Sequence, residues 1–326
     1  MDKYRSTFED GRPSEGGEHI LYLMELKGNI LAFSTHFHSK IRHLYKMSRK
    51  LIHILNGDST RLILEKSNLE GKTIVWQEIF SEGPKQYAFN PSFLTARKNF
   101  IADFFGTTLD SFAIKYNNCF NQLELLGNYR EIVLWFEEDL FCQWNMLACI
   151  SLLYQQYAFT KPIYLICAGH KMQTGDKTNL GDFSPDDYSQ LFEKRELLSR
   201  DAILFADQFW KNSERDYRGN IQQNILKENK YFPYLKPAVE LEQDRFEDIL
   251  GLSKLDYKLL LLIKNGEFNL NSLVSYILKN DNPYGYGDAQ YFTYLKRLEE
   301  YYHEDDQGEF LELNEQALEI INGIVK

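Results

Sequence analysis

The sequence contains no long hydrophobic run and no excess of positive charge, and each of these absences excludes a class of protein. Apolar runs such as Leu259–Ile263 and Ile163–Ala168 are far shorter than the roughly 20 residues of a membrane-spanning helix. The net charge of −10 disfavours nucleic acid as a partner, because nonspecific affinity for it comes from clustered lysine and arginine. We therefore expect neither a membrane span nor a broad nucleic-acid-binding surface.

Cysteine is also scarce, with four residues that form neither a CxxC pair nor a Cys/His metal spacing. They are Cys119, Cys142, Cys149 and Cys167. No cleavable signal peptide precedes them, so reduced, packed thiols and a cytoplasmic location are expected. The histidine-rich stretch at residues 36–43 has no carboxylate or cysteine beside it, and we predict no metal site there.

The common nucleotide and hydrolase fingerprints are missing as well. The chain has no GxGxxG turn, no GK[ST] phosphate loop and no GxSxG elbow. Their absence argues against ordinary NTP binding and against a serine hydrolase. The sequence leaves the identity of any cofactor open.

What the sequence does contain is a regular alternation of apolar strands and helices after residue 50. The first strand, a short helix at 60–67 and a second strand form a βαβ start, which favours parallel strands. The strands are apolar with little strict alternation, which is typical of strands covered on both faces. We predict an α/β fold with a parallel-type sheet flanked by helices, whose strands lie at residues 51–55, 73–80, 131–136 and 162–167.

Four regions are predicted along the chain. Residues 1–46 read as an appendage, or as an over-long start if the protein begins at Met47, and residues 47–181 form the α/β domain. A helical middle at 182–252 precedes a winged-helix-like unit at 253–326, predicted from three helices followed by a short strand. This unit has seven lysines and arginines against thirteen aspartates and glutamates, so protein contact or self-association is favoured over DNA. The tyrosine-rich stretch at 284–295 is the predicted contact surface.

Several motifs resemble a bacterial family without an established function, domain-of-unknown-function family 1835. The resemblance runs from about Lys50 to the C-terminus through HILNGDST, WQEIFSEGP, IVLWFEEDLFCQWNMLACISLL, LFEKRELLSRDAILFADQFW and GYGDAQYFTYLKRLEE. Family members tend to have a small residue where this chain has Glu137 and Glu138, which adds charge. The resemblance implies a shared fold but no reaction. It also implies a shared set of residues, namely His53, Gly57, Asp58, Ser59, Trp76, Glu78, Gly83, Pro84, Trp135, Asp139, Gln143 and Asn145.

Two acidic loops follow predicted strands, NGDS after the first and EED after the third. Ligands of open α/β sheets bind beyond the carboxyl ends of the strands, so these loops predict one shared site. A glycine in the first loop permits close approach of a ligand, and the adjoining helix N-terminus suits phosphate or carboxylate. The alternative is that Asp58 or Ser59 only caps the helix, and that His53 is a buried structural histidine. The catalytic candidates are His53, Asp58 and Asp139, and the ligand-binding candidates are Asn56, Gly57, Ser59, Glu137, Gln143 and His170.

Two functions follow from these observations. The first is binding of a small anionic or nucleotide-like ligand, with hydrolase or transferase activity. The second is a non-enzymatic regulatory or protein-interaction module that acts through the C-terminal unit, as a homo-oligomer or with a protein partner. A cation held by the carboxylates of the second acidic loop is a third, weaker interpretation.

Overall fold

A computed structural model describes residues 22–26, 29–33, 51–76, 78–106, 109–169, 179–214, 231–305, 307 and 309–324. The chain divides into two compact units, Met1–Lys50 and Leu51–Lys326. In the first unit, β1 (Tyr22–Leu26) and β2 (Asn29–Phe33) form an antiparallel hairpin. The histidines at residues 36–43 lie outside the described residues.

A five-stranded sheet forms the centre of the second unit, in the order β4-β3-β5-β6-β7. The first four strands are parallel, and the short β7 is antiparallel to β6. This confirms the predicted α/β fold with a parallel-type sheet. The strands are β3 (Leu51–Leu55), β4 (Lys72–Val75), β5 (Glu131–Phe136), β6 (Ile163–Cys167) and β7 (Glu196–Leu197).

Helices flank the sheet, and most of them begin at a polar N-cap residue. Asn90, Asp139, Ser184, Ser199 and Ser253 each accept a hydrogen bond from a backbone N–H in the first turn of their helix. The helices of the sheet region and the middle are α1 (Asp58–Leu64), α2 (Pro91–Phe105), α3 (Leu109–Glu124), α4 (Leu140–Tyr157), α5 (Pro185–Glu193), α6 (Arg200–Ser213) and α7 (Leu235–Gln243).

The connections from two neighbouring strands leave on opposite faces of the sheet. Helix α1, which follows β3, packs with α5 over the face that carries Leu55, Val133 and Trp135. Helix α4, which follows β5, packs with α6 and α7 over the other face. Between β3 and β5 the chain therefore departs in two directions, and this arrangement opens a crevice at the carboxyl ends of the two strands.

The C-terminal part contains three helices, a two-stranded antiparallel sheet and a last helix, which is the predicted winged-helix-like outline. None of the helices in the described ranges is both long and apolar enough to span a bilayer. The elements are α8 (Lys254–Asn265), α9 (Leu270–Asn280), α10 (Asp288–Arg297), β8 (Tyr302–Glu304), β9 (Leu311–Leu313) and α11 (Glu315–Ile324).

The tyrosine-rich stretch at 284–295 is not the contact surface that its sequence predicts. Tyr284, Tyr286, Tyr291 and Tyr294 are all buried. The hydroxyls of Tyr286 and Tyr294 donate to one oxygen of Glu82, at 2.9 and 2.7 Å. The prediction of an exposed surface is wrong because a buried carboxylate from the sheet region gives these hydroxyls a partner.

Two predicted elements differ most from the structure. The second strand ends at Val75 rather than at residue 80, because the next segment bends away and Glu78 turns toward the buried Arg97. Helix α1 begins at Asp58 instead of residue 60, since Gly57 takes the extended N-cap conformation. Both differences depend on tertiary partners that local sequence patterns do not reveal.

Candidate functional site

The carboxyl ends of β3 and β5 place an amide and two carboxyl groups close together. Leu55 and Trp135 are in register, and the Asn56 N–H that follows donates to the carbonyl of Trp135 at 3.0 Å. The Asn56 Nδ2 then donates to Glu137 Oε1 at 3.3 Å. The structure thus brings together residues that lie 81 positions apart, as the two acidic loops predicted.

Asp139 lies next to Glu137 and caps α4. Its Oδ1 accepts a hydrogen bond from the Cys142 N–H at 2.7 Å, as the sequence predicted for a helix cap. Glu137 Oε1 also accepts from the Leu180 N–H at 2.7 Å. We call Glu137 and Asp139 the acid pair, and both of its side chains are half-buried.

The acid pair holds protons more strongly than ordinary carboxyl groups do. Burial, helped by the neighbouring Asp139 carboxylate, raises the pKa of Glu137 to about 8. Burial also raises the pKa of Asp139, although the Cys142 N–H opposes this shift. The two groups hydrogen-bond to each other, so they titrate as a pair that retains a proton at neutral pH.

Cys142 completes the group of polar atoms around the acid pair. Its thiol is buried, which raises its pKa well above the usual value, and it accepts from Asn56 Nδ2 at 3.5 Å. Glu137, Asp139 and Cys142 each offer one ligand atom, and these three atoms lie within 4.8 Å of one another. Oxygen and sulfur atoms of these kinds bind zinc, and this is the group among the described residues that would hold a metal.

A loop from the C-terminal region covers the acid pair on one side. The Phe141 N–H donates to the carbonyl of Tyr284 at 3.0 Å. Gly285 follows at φ +69°, and a Cβ there would lie 2.1 Å from Asp139 Cγ. Only glycine allows this approach. Sequence reasoning missed this cover, and no local signal could have found a contact across so long a stretch of chain.

Gln143 lies behind the acid pair, on the first turn of α4. Its Nε2 donates to the carbonyl of Glu137 at 2.7 Å, while its buried Oε1 has no hydrogen-bond partner in the described part of the chain. Gln143 also lines a cleft of about 380 Å³ at the end of β6, together with Glu138 and Gly169. His170, the next residue after this glycine, lies outside the described residues.

The remaining candidate in β3, His53, hydrogen-bonds to groups other than the acid pair. It points to the opposite face of the sheet from Ile54, where its Nδ1 accepts from Trp135 Nε1 at 3.0 Å. Its Nε2 lies 3.3 Å from the carbonyl of Glu70. Burial lowers the pKa of His53 to about 4, so the ring is neutral and both nitrogens are engaged. We do not include His53 in the proposed site.

Residues of the first acidic loop lie at the outer side of α1. The exposed Asp58 pairs with Arg61 at 3.0 Å and lines a cleft of about 290 Å³ together with residues of β4 and α3. Ser59 is exposed, and the helix has no side-chain cap. Gly57 and Ser59 therefore border the crevice without contacting the acid pair in any recorded hydrogen bond.

A second group of buried charges follows β4, and it is neutral overall. Arg97 Nη2 lies 2.7 Å from Glu78 Oε2, and both side chains are fully buried. Two further buried pairs join the loop after β4 to α7 and the residues that follow it. These are Lys85 with Glu242, and Arg245 with Glu82. Balanced pairs of this kind hold α7 and the residues after it against the loop that follows β4.

Comparison with known proteins adds no assignment to this geometry. No protein-family model matches the chain, and no curated protein matches it. The resemblance to family 1835 therefore stays a prediction, and the function is argued from the site alone.

Proposed function

We propose that the crevice between β3 and β5 binds a small nucleotide-like ligand and that the acid pair exchanges protons with it. The observation that carries this proposal is a proton-holding pair of carboxyl groups at the point where the chain departs to both faces of the sheet. Crevices at such points are where open α/β sheets bind their ligands. Asn56 and the acid pair would recognise hydroxyl or amino groups, which donate hydrogen bonds to carboxylates.

The charge of the site selects among ligands. An acid pair repels a bare phosphate or carboxylate, and Asp139 already occupies the N-terminus of α4. A ligand that presents sugar hydroxyls to the acid pair therefore fits this site better than one that presents an anionic group, which was the first prediction. A group with a pKa near 8 both accepts and donates protons at neutral pH, which is the requirement for general acid–base catalysis. Hydrolysis and group transfer are the reaction classes that use it.

Calorimetric titration with nucleosides and nucleoside monophosphates tests this proposal. Affinity should rise as the pH passes through about 8, because the deprotonated pair accepts more hydrogen bonds. Glu137→Gln should flatten this pH dependence, whereas Glu65→Gln, which makes the same substitution in an exposed ion pair, should preserve it. Binding that responds to pH identically in both variants would contradict a role for the acid pair.

The competing interpretation, a regulatory or protein-interaction module that acts through the C-terminal unit, stays a prediction. Its expected surface, the stretch at 284–295, has four buried tyrosines. The cytoplasmic location, expected from the cysteines, and the bacterial origin, implied by the resemblance, are likewise expectations.

A further inference from the structure

The cleft at the end of β6 lies beside the acid pair but is not used by the proposed proton exchange. It is lined by Cys167 and Gly169, by Gln143 and Glu138, and by residues 231–234. Its volume of about 380 Å³ falls within the range of small-molecule sites, roughly 300–1,000 Å³. The cleft is large enough to hold one ring system.

The floor of this cleft is an uncovered strand edge. Alternate residues of a parallel strand bond to opposite neighbours. The Ala168 N–H donates to the Phe136 carbonyl of β5 at 3.0 Å, whereas the Ile163 carbonyl accepts from the Leu198 N–H on the other side at 2.9 Å. Cys167 lies an even number of residues after Ile163, so its N–H and C=O point to the same side as those of Ile163, away from β5.

No strand reaches this part of the edge among the described residues. β7 pairs with β6 only at Tyr164 and Leu165, and the chain before β7 is the end of helix α5, where Leu191 and Lys194 line the cleft. Among the described residues Cys167 makes hydrogen bonds through its Sγ, at 3.5 Å from Gln143 Nε2 and from the Glu137 carbonyl. One backbone donor and one backbone acceptor therefore face the cleft side by side.

The walls suit a flat, polar ring. Phe232 and Tyr234 supply aromatic surface, and burial together with the neighbouring Glu138 raises the pKa of Tyr234 to about 12, so its phenol stays protonated. The charged lining residues are Glu138, Glu196 and Lys194, which gives a net negative cleft. A polyphosphate would be repelled, whereas a neutral ring would not.

We propose that this cleft binds the nitrogen heterocycle of a nucleoside, whose N–H donor and ring acceptor pair with the C=O and N–H of Cys167. A peptide strand fits less well, because strand addition uses a longer row of free backbone groups than one residue offers. The inference rests on the proposed function, since it names the ligand class of the same end of the sheet. It places the ring in the cleft and the sugar hydroxyls toward Gln143 and the acid pair.

Calorimetry with adenosine, cytidine, guanosine, uridine and ribose tests the inference in the full chain. Cys167→Pro removes the outward N–H without touching the hydrogen bonds to β5, because that N–H is not part of the β5 ladder. Cys167→Ala keeps the N–H and, like the proline variant, lacks the Sγ contacts with Gln143 and the Glu137 carbonyl, so it is the matched control. Circular dichroism and urea unfolding check that both variants fold.

At least one nucleoside should bind the parent chain and Cys167→Ala, and its affinity should fall about tenfold or more from Cys167→Ala to Cys167→Pro. N6,N6-dimethyladenosine, which lacks the donor, should bind worse than adenosine if adenosine is the ligand. Equal affinity in the proline and alanine variants, binding of ribose as tight as that of the nucleosides, or no nucleoside binding at all would overturn the inference. If only the Cys167 comparison fails while Glu137→Gln still alters the pH dependence, the proposed function survives.

If Cys167→Pro does not fold, Gly169→Val tests the inference by placing a side chain in the cleft. A Cβ at Gly169 would already lie 2.5 Å from Glu138 Cδ, so the larger side chain must project into the cleft or displace its wall. Nucleoside binding that is unchanged in a folded Gly169→Val protein would also overturn the inference.

Discussion

The acid pair should give the protein a characteristic dependence of stability on pH. In the folded chain Glu137 has a pKa of about 8, against 4.5 for an unperturbed glutamate. Between these values the folded state holds a proton that the unfolded chain has released, so raising the pH favours unfolding. The stabilisation is fully present below about pH 4.5 and is lost as the pH rises through about 8.

Other groups restrict the window in which this effect can be measured. His53, with its pKa lowered from 6.5 to about 4, makes stability rise with pH between those values, which opposes the acid pair. Lys85, with its pKa lowered from 10.5 to about 8 chiefly by burial, makes stability rise with pH above that point. The interval from pH 6.5 to pH 8 avoids both contributions.

Within that interval Glu137 should lose roughly 1.6 kcal/mol of stabilisation, since one pKa unit corresponds to about 1.4 kcal/mol. Glu137→Gln mimics the protonated side chain at every pH and can still accept from the Leu180 N–H. Urea unfolding at the two pH values should therefore show the parent losing about 1.6 kcal/mol more than the variant. Glu65→Gln is the control for the same substitution at an exposed glutamate, and it should lose as much stability as the parent. If the parent and Glu137→Gln show the same change, the proton-holding pair does not exist.

Two further predictions concern the contacts that hold the site together. Gly285→Ala should lower the free energy of unfolding in urea by at least about 1 kcal/mol more than Gly251→Ala does. Both glycines have positive φ, but only Gly285 approaches Asp139, and the loss of a helix cap costs about 1 kcal/mol. Equal losses in the two variants would contradict the close approach. Arg97→Met should cost about 3–5 kcal/mol because it leaves Glu78 buried without its cation, whereas Arg61→Met at the surface should cost less than about 1 kcal/mol. A folded Arg97→Met protein that is destabilised no more than Arg61→Met would show that the buried pair contributes little.

Several features of the site were available from local sequence. Asp139 stands between an apolar strand and an apolar helix, and this position alone predicts a cap that accepts from the first turn. Asn56 and Glu137 follow strands with a parallel pattern, so their approach could be predicted as well. Cys142 was missed, although its spacing of three residues from Asp139 places it in the same turn of α4.

The sequence by itself determined the strands, most helix starts and the end of the sheet at which polar loops gather, because these depend on periodicity and caps within a few residues. Only the tertiary structure decided that His53 bonds to Trp135 rather than to the acid pair, that Gly285 covers Asp139 and that the tyrosines near the C-terminus are buried. Each of those outcomes depends on a partner far away in the chain. Burial and long-range partners set the pKa of a carboxyl group and the exposure of an aromatic ring, and neither is encoded in the neighbouring residues.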